Sequence, residues 1–566
     1  RTAAVLPGMI LGGYQGVDPA LADIFRDNGI AHMLAVSGTH VAMLTLFLRV
    51  LFRPLGKRAD YLIQFILLIY ALLCGLQPGV LRSVLMACVL LWGRRQKRQA
   101  DSVRLLLLTA FLLLVANPFW LPDISFQLSF VTTAGLLLAC PKVTAYVPEF
   151  LPDWLRSLVG VALTAQLCSL PFSVYYFHRL SLIAIISNLC LLPALEAAAL
   201  CFLTGLLFLS FLPVVSGVLF PVAEFLLNGA VAVGAGLAAL PFAATDVSDW
   251  GIAGMLAYYG FLAAFLSLGP FIRFSSRQRK YWLGLMTGIF LALCLMKMVA
   301  SRDLTVYFMD VGQGDAALVR TPAGKNILID TGGLQGDADI SRMVLLPCLR
   351  YLGVKQIDLL CLSHGDHDHA GGAAGLAANL PVKQVFLGGA TENSEDVTRL
   401  LKAARGKTKI KYPHSGEQWR IGDCDITVAS ADAGTRAAPG VTESNSASLV
   451  LQLFCQGHSV VFTGDADADT EEKAMPYLRA AEILKVSHHG ADTSSSPHFL
   501  QRIKPRFAVI SVGKENRYGH PGKETLQRLA GKKIIPLRTD RLGAIKIKFK
   551  NDGPRWYSYR YQGNQF

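Results

Sequence analysis

Apolar and polar positions are distributed differently in the two halves of this chain. From Ala31 to Ala300 long apolar runs follow one another with few charges between them, whereas from Ser301 onwards Asp, Lys, Arg and Gly recur as in an ordinary globular sequence. A membrane span needs about 20 mostly apolar residues. Runs of that kind lie at roughly 31–52, 60–76, 80–93, 103–117, 126–140, 156–177, 181–211, 214–240, 250–269 and 282–300, which predicts about ten spanning helices. The runs 80–93 and 103–117 are short, and 181–211 is interrupted by Pro193. Such helices are tolerated where they pack within a bundle or line a cavity. The pattern divides the chain into a remnant and lead-in over 1–30, a polytopic α-helical membrane domain over 31–300 and a globular domain over 301–566.

Composition agrees. Hydrophobic residues make up 52 % of the chain and charged residues 17 %, with a mean hydropathy of +0.40, where a soluble protein carries about 25 % charged residues. The net charge of +14 is expected of cytoplasmic loops that collect Lys and Arg, and would equally suit a polyanionic ligand. Arg53, Lys57 and Arg58 follow the first run, Arg94, Arg95, Lys97 and Arg98 the third, and Arg273, Arg277, Arg279 and Lys280 the ninth. These clusters all follow odd-numbered runs, so they share one side, predicted to be cytoplasmic. The last run then crosses outward, and the globular domain emerges on the non-cytoplasmic side. Of the 11 cysteines, Cys348, Cys361, Cys424 and Cys455 lie in the globular domain, and no C-x-x-C pair suggests a cysteine zinc site. Their pairing is left open by the sequence. The chain begins with Arg1 and shows no signal peptide, and is expected to lack a natural N-terminal part.

The chemistry concentrates after residue 301. Ser363-His364-Gly365-Asp366-His367-Asp368-His369-Ala370-Gly371-Gly372 follows the apolar run Ile357–Leu362, a strand end feeding a ligand-rich turn. Alternate positions on extended chain point one way, so His364 and Asp366 are predicted to share one metal while Asp368 and His369 turn to another. This resembles the H-x-H-x-D-H motif of the metallo-β-lactamase superfamily, with Asp366 at the second histidine. The resemblance implies an αββα sandwich holding two divalent metals, with Asp465 of Thr463-Gly464-Asp465 bridging them. It implies a last ligand from Val486-Ser487-His488-His489-Gly490, where His488 is the better placed by position and His489 is close behind. A carboxylate in the set shifts preference towards harder ions, so manganese is favoured over zinc or magnesium. A further histidine expected near 440–450 is replaced by Glu443-Ser444-Asn445-Ser446-Ala447-Ser448, leaving Asn445 or a hydroxyl as the alternative ligand. Asp310-Val311-Gly312-Gln313-Gly314-Asp315 is either a tight turn or a support for the ligands. Asp368 and Asp465 are the catalytic candidates, with Arg517 and His520 of Asn516-Arg517-Tyr518-Gly519-His520-Pro521 placed to contact a phosphate.

The apolar half also carries ordered motifs. The run Phe25-Arg26-Asp27-Asn28-Gly29-Ile30-Ala31-His32-Met33-Leu34-Ala35-Val36-Ser37-Gly38-Thr39-His40 is followed by Gln77-Pro78-Gly79-Val80-Leu81-Arg82-Ser83, Phe126-Gln127-Leu128-Ser129-Phe130, Ala165-Gln166 with Leu170-Pro171, and Ser187-Asn188-Leu189 with Leu192-Pro193. This series resembles the ComEC family of competence channels, whose members take up DNA in transformable bacteria, here without the OB-type domain that many members carry first. The resemblance implies passage of single-stranded DNA across the inner membrane, a nuclease acting on the strand left outside, a DNA receptor outside and a motor inside. Polar groups at depth in a membrane line a path or pair with one another. His40, Arg82, Phe126, Gln127 and Asn188 are the candidates for a DNA path. Two other classes stay open: a membrane-anchored phosphodiesterase with another substrate, and a channel whose globular domain binds without cutting.

Overall fold

The computed structural model describes residues 5–12, 17–34, 36, 38–96, 101–247, 250–266, 276–299, 303–333, 339–388, 391, 394–431 and 447–559. The chain forms two compact units, Arg1–Met298 and Val299–Gln565.

The first unit is helical. Ser37, Lys97, Arg98 and Arg273 lie outside the described residues. The helices Asp153–Phe177, Ala184–Phe208 and Pro213–Ala238 are each long and apolar enough to cross a bilayer, and shorter apolar helices include Gly38–Leu51, Ala59–Leu73, Ser102–Ala116, Ile124–Leu138 and Gly251–Phe265. Local chemistry sets their ends. Asp101 and Asp123 cap the helices that follow them by accepting backbone N–H groups, and Pro78 begins Pro78–Arg95 at a position where no N–H is needed. The run expected to span from residue 31 differs: Ala31–Leu34 is a separate 3₁₀ turn, and the α-helix begins only at Gly38. Asn28, fully buried, explains how that approach is fixed. Its amide donates to the Ile24 and Gly234 carbonyls, both at 2.8 Å, and Ser187 Oγ donates to its Oδ1 at 2.7 Å. One side chain thus ties three helices together. A two-stranded ladder, β1 (Arg179–Ser181) with β2 (Ala244–Asp246), completes the unit.

The second unit is built on two sheets. One has the order β17-β16-β3-β4-β5-β6-β7-β8 and the other β15-β14-β13-β12-β11-β10-β9. The first comprises β3 (Thr305–Phe308), β4 (Ala317–Arg320), β5 (Asn326–Ile329), β6 (Leu359–Leu362), β7 (Gln384–Leu387), β8 (Lys409–Lys411), β16 (Ala544–Lys550) and β17 (Gly553–Tyr559). The second comprises β9 (Gln418–Ile421), β10 (Cys424–Ser430), β11 (Val450–Cys455), β12 (His458–Phe462), β13 (Ile483–Lys485), β14 (Phe507–Ile510) and β15 (Ile535–Arg538). Strand residues alternate between faces, and the core follows that period. Val306, Phe308, Val319 and Leu359 meet Ile426, Leu451, Val460 and Phe462 between the sheets. On the outer faces Leu318, Leu328 and Leu360 pack under helices bearing Leu349, Leu376 and Leu400, while Val461, Leu484 and Ala508 pack under Phe499, Leu500 and Leu529. The result is an αββα sandwich. Cys424 and Cys455 face each other across β10 and β11 and form a disulfide, while Cys348 and Cys361 are free.

Candidate metal centre

Loops leaving the C-terminal ends of β6, β12 and β13 converge with the loop between β3 and β4. After β6 the chain bends through Ser363, His364 and Gly365, Asp366 is extended (ψ 149°), and the short helix His367–Ala370 follows. Asp368, His369, Asp465 and His489 bring ligand atoms to within 4.8 Å of one another. His369 Nε2 is 3.2 Å from Asp465 Oδ1, and His489 Nε2 is 3.2 Å from Asp368 Oδ2 and 3.6 Å from Asp465 Oδ2. His364 stands beside them, its ring centroid 4.1 Å from that of His369 and its Nε2 3.5 Å from Asp366 Oδ2.

The histidines are aimed by their other nitrogens. Ser363 Oγ lies 3.0 Å from His364 Nδ1 and 3.2 Å from His369 Nδ1, and donates to Asp330 Oδ2 at 2.8 Å. His489 Nδ1 lies 2.9 Å from the Ser511 carbonyl. Fixing Nδ1 leaves Nε2 for a ligand, the usual support of a metal-binding imidazole. Consistent with this, and apart from the 3.2 Å contact between His369 Nε2 and Asp465 Oδ1, the buried atoms His364 Nε2, His369 Nε2 and Asp465 Oδ1 have no hydrogen-bond partner among the described residues. Buried polar atoms are normally satisfied, so the donor set fits divalent cations.

Electrostatics say the same. Burial alone would raise the Asp465 carboxyl, but His489 and His369 hold it well below the usual carboxylate range. Burial opposes charge on His489, yet Asp465 and Asp315 raise it to about 10, and Asp465 and Asp330 raise His369 well above its ordinary value despite its burial. The pocket concentrates negative charge and draws positive charge into it. Asp315 belongs to this balance: buried, it pairs with the buried Lys485 ammonium and is held low by it and by His489 against the effect of burial. Lys485 Nζ also donates to the Gly464 carbonyl at 3.3 Å. Glycine is required at Gly314 and at Gly464, among other places. A Cβ on Gly314 (φ 137°) would lie 2.4 Å from the Asp368 carbonyl oxygen, and one on Gly464 (φ 51°) 2.6 Å from Ser363 Cβ.

Position along the chain pointed first to His488, but the structure puts His489 inside the group. Both residues are left-handed, with φ of 47° and 53°, so strand alternation no longer decides which ring faces the site. His488 Nε2 lies 3.9 Å from Asp465 Oδ2. Its ring instead neighbours His520 at 5.7 Å, which stacks on Tyr518 at 5.9 Å. Arg517 donates to the Tyr518 hydroxyl at 2.7 Å. His367, one place off the ligand pattern, turns away to Asp396 at 2.8 Å. Asn445 lies outside the described residues, while Ser448 Oγ accepts the Asp465 N–H at 3.2 Å. Sequence reasoning passed over Asp330, Ser363, Lys485 and Glu471. Glu471, fully buried, accepts Ser487 Oγ and the Ser495 and Ser496 N–H groups. The signal available was a charge inside or at the end of an apolar strand run, as in Ile483-Leu484-Lys485-Val486.

In the helical unit the candidate path residues are held in packed surroundings. Arg82 donates to Ser129 Oγ at 2.7 Å and Ser83 Oγ at 2.9 Å, and a Cβ on Gly38, two residues from His40, would lie 3.0 Å from its guanidinium. Gln127 accepts the Tyr176 hydroxyl at 2.6 Å. Phe126 packs against Phe130, ring centroids 4.4 Å apart, within an apolar cluster. Asn188 Oδ1 is buried with no hydrogen-bond partner among the described residues.

Residues 9–270 match the family model of the competence protein, and residues 309–514 that of the metallo-β-lactamase superfamily. ComE operon protein 3 of Bacillus subtilis (strain 168) is 30 % identical, over 97 % of this chain and 72 % of that protein. Competence protein ComA of Neisseria gonorrhoeae is 27 % identical, over 99 % and 77 %, and Recombination protein 2 of Haemophilus influenzae 26 %, over 97 % and 72 %. With both halves matched in order and a relative of this similarity along nearly its whole length, the chain belongs to the ComEC family of competence membrane proteins and carries a metallo-β-lactamase domain of the metal-dependent hydrolase type.

Proposed function

We propose that this chain is a DNA-uptake channel. Residues 31–300 carry a single strand across the cytoplasmic membrane, and residues 301–566 cut phosphodiester bonds of the strand that is not transported. The observation that carries the reading is the group Asp368, His369, Asp465 and His489, with its imidazole Nε2 atoms aimed inward, in a chain whose other half matches the competence family. In this reading His364 and Asp366 would hold one cation, Asp368, His369 and His489 the other, and Asp465 would serve both, with His488 at the rim. Three carboxylates in the set favour manganese over zinc or magnesium. Divalent cations bound there activate water and neutralise charge growing on a phosphoryl group. The protein's own part is to hold the ligands rigid through Ser363, Asp330 and Ser511, and to meet the phosphate with Arg517 and His520 at the rim. Asp368 and Asp465 face the reacting group. His40, Arg82, Phe126, Gln127 and Asn188 remain the proposed contacts of the strand in the helical domain.

The hydrolase domain is assigned to the non-cytoplasmic side of the inner membrane. Loop charge supports that side, and so does the Cys424–Cys455 disulfide, a bond kept in oxidising compartments. A DNA receptor outside and a motor inside complete the assembly. The test uses the full chain in detergent with end-labelled single- and double-stranded DNA and manganese, magnesium, zinc or chelator, beside Asp465→Ala. Metal-dependent cutting abolished by the substitution is expected. No cutting of any DNA with metal bound would move the domain to another phosphodiester or to binding alone.

A further inference from the structure

The outer face of the eight-stranded sheet is covered by helices only in part. The cluster beneath those helices takes residues from β4, β5, β6 and β7, with the half-buried Tyr307 of β3 packed against it, and among the described residues none from β16 or β17. On β16, Ile545, Ile547 and Phe549 point into the core between the sheets, so Lys546, Lys548 and Lys550 point the other way. The register sets Lys546 between Tyr307 of β3 and Tyr557 of β17, and Lys548 between Thr305 and Arg555. The Lys546 ammonium lies 5.5 Å from the Tyr307 ring and 5.9 Å from the Tyr557 ring. Tyr557 is 46 % exposed and Tyr559, on the same face, 43 %.

Charge on this face is only partly neutralised. Asp303 serves both Lys548 and Lys550, at 2.9 and 3.2 Å, and Asp552 serves Arg555. Lys546 has no carboxylate within 4.0 Å among the described residues, and its charged neighbours Lys548 and Arg320 are cations. An antiparallel surface that sets the exposed rings of Tyr557 and Tyr559 beside the unneutralised Lys546 matches the needs of one ligand class. Unpaired bases stack on rings and the phosphate chain follows the cations. Duplex DNA offers a flat sheet no such access to its bases, whose edges are read by elements that enter a groove. Lys and Tyr side chains also suit a lipid headgroup surface, which is why binding to anionic lipid is one arm of the test. Position fits as well. Tyr559 pairs with Ala544, beside the Ile545–Phe308 pair, and Phe308 leads into the Asp310–Asp315 loop at the metal centre.

We infer that the open sheet face formed by Lys546, Tyr557 and Tyr559, bordered by the half-buried Tyr307, is a second nucleic-acid site, binding single-stranded DNA by base stacking and feeding it towards the metal centre. The inference rests on the reading of the chain as a DNA-processing protein. Its test is anisotropy of a short fluorescein-labelled oligothymidylate with the full chain in detergent and EDTA, so that nothing is cut. Tyr557→Ala is expected to weaken binding roughly 5- to 100-fold, the loss of one stacked base, while Tyr557→Trp keeps it. Lys546→Ala is expected to lower the slope of log affinity against log salt by about 0.7. Hydrolysis of a small phosphodiester by the wild type is measured alongside with manganese. If the wild type cleaves the diester but both variants bind the oligonucleotide as it does, the sheet-face site is overturned and the hydrolase stands. If the wild type binds and the variants lose binding while no diester is cleaved, the site stands and the hydrolase falls. Absent oligonucleotide binding by the wild type overturns the site. So does a loss, in the variants, of binding to phosphatidylglycerol micelles in place of DNA.

Discussion

At the residue scale the histidine pair is the sharpest case. His364, Asp366, Asp368 and His369 could be proposed because they crowd the turn after one apolar run, and Asp465 because it follows another; of these the structure groups Asp368, His369 and Asp465. The choice between His488 and His489 was not legible, since two successive left-handed residues cancel the strand period that would have decided it. His489→Ala is therefore expected to lose bound metal, read as metal per chain after dialysis, whereas His488→Ala keeps most of it. The reverse ranking would return the ligand role to His488. Lys485 and Asp315 were hidden for another reason: they meet only in three dimensions, 170 residues apart in the numbering. Both are buried, and a buried ion pair that loses one partner costs about 3–5 kcal/mol. Lys485→Met should lower the thermal midpoint in detergent, and adding Asp315→Asn should recover part of the loss. A double variant no better than the single would remove the pairing argument.

At the scale of elements, long apolar runs gave helices because nothing in them competes with the helix, and caps such as Asp101 and Asp123 set where they start. The first run broke at Ala31–Leu34 because Asn28 fixes the chain just before it, a tertiary constraint with no local pattern. The αββα layers were readable only through the family resemblance, since strands of four residues are too short for their order in a sheet to be inferred. Glu471 shows how an element can support the centre without touching it. It lies on the helix Ala468–Ala474, and its carboxylate holds Ser487 and the turn at Ser495 and Ser496, which bracket the His488-His489 segment. Losing such outer support typically weakens a metal site about 10- to 100-fold. Glu471→Ala should show that drop in a manganese titration. Unchanged affinity would mean that the His489 turn is held by its backbone alone.

At the scale of the whole molecule, the side of the membrane on which the hydrolase domain lies governs what it can meet. Loop charge depends on the parity of the spans, and a miscount by one reverses it. The disulfide is independent of any count. It closes a separation of 31 residues, for which the chain-entropy model gives about 3–4 kcal/mol of stabilisation, and a cytoplasmic domain would have it reduced. Both arguments can be met by one measurement in cells. Lys407 is exposed, in the loop before β8, and Lys407→Cys places a thiol there without touching the centre. A membrane-impermeant maleimide is expected to label it in intact spheroplasts. Labelling only after permeabilisation would place the domain inside, where a nuclease would meet the incoming strand instead of the one left behind, and degradation of the non-transported strand would have to be assigned to another protein.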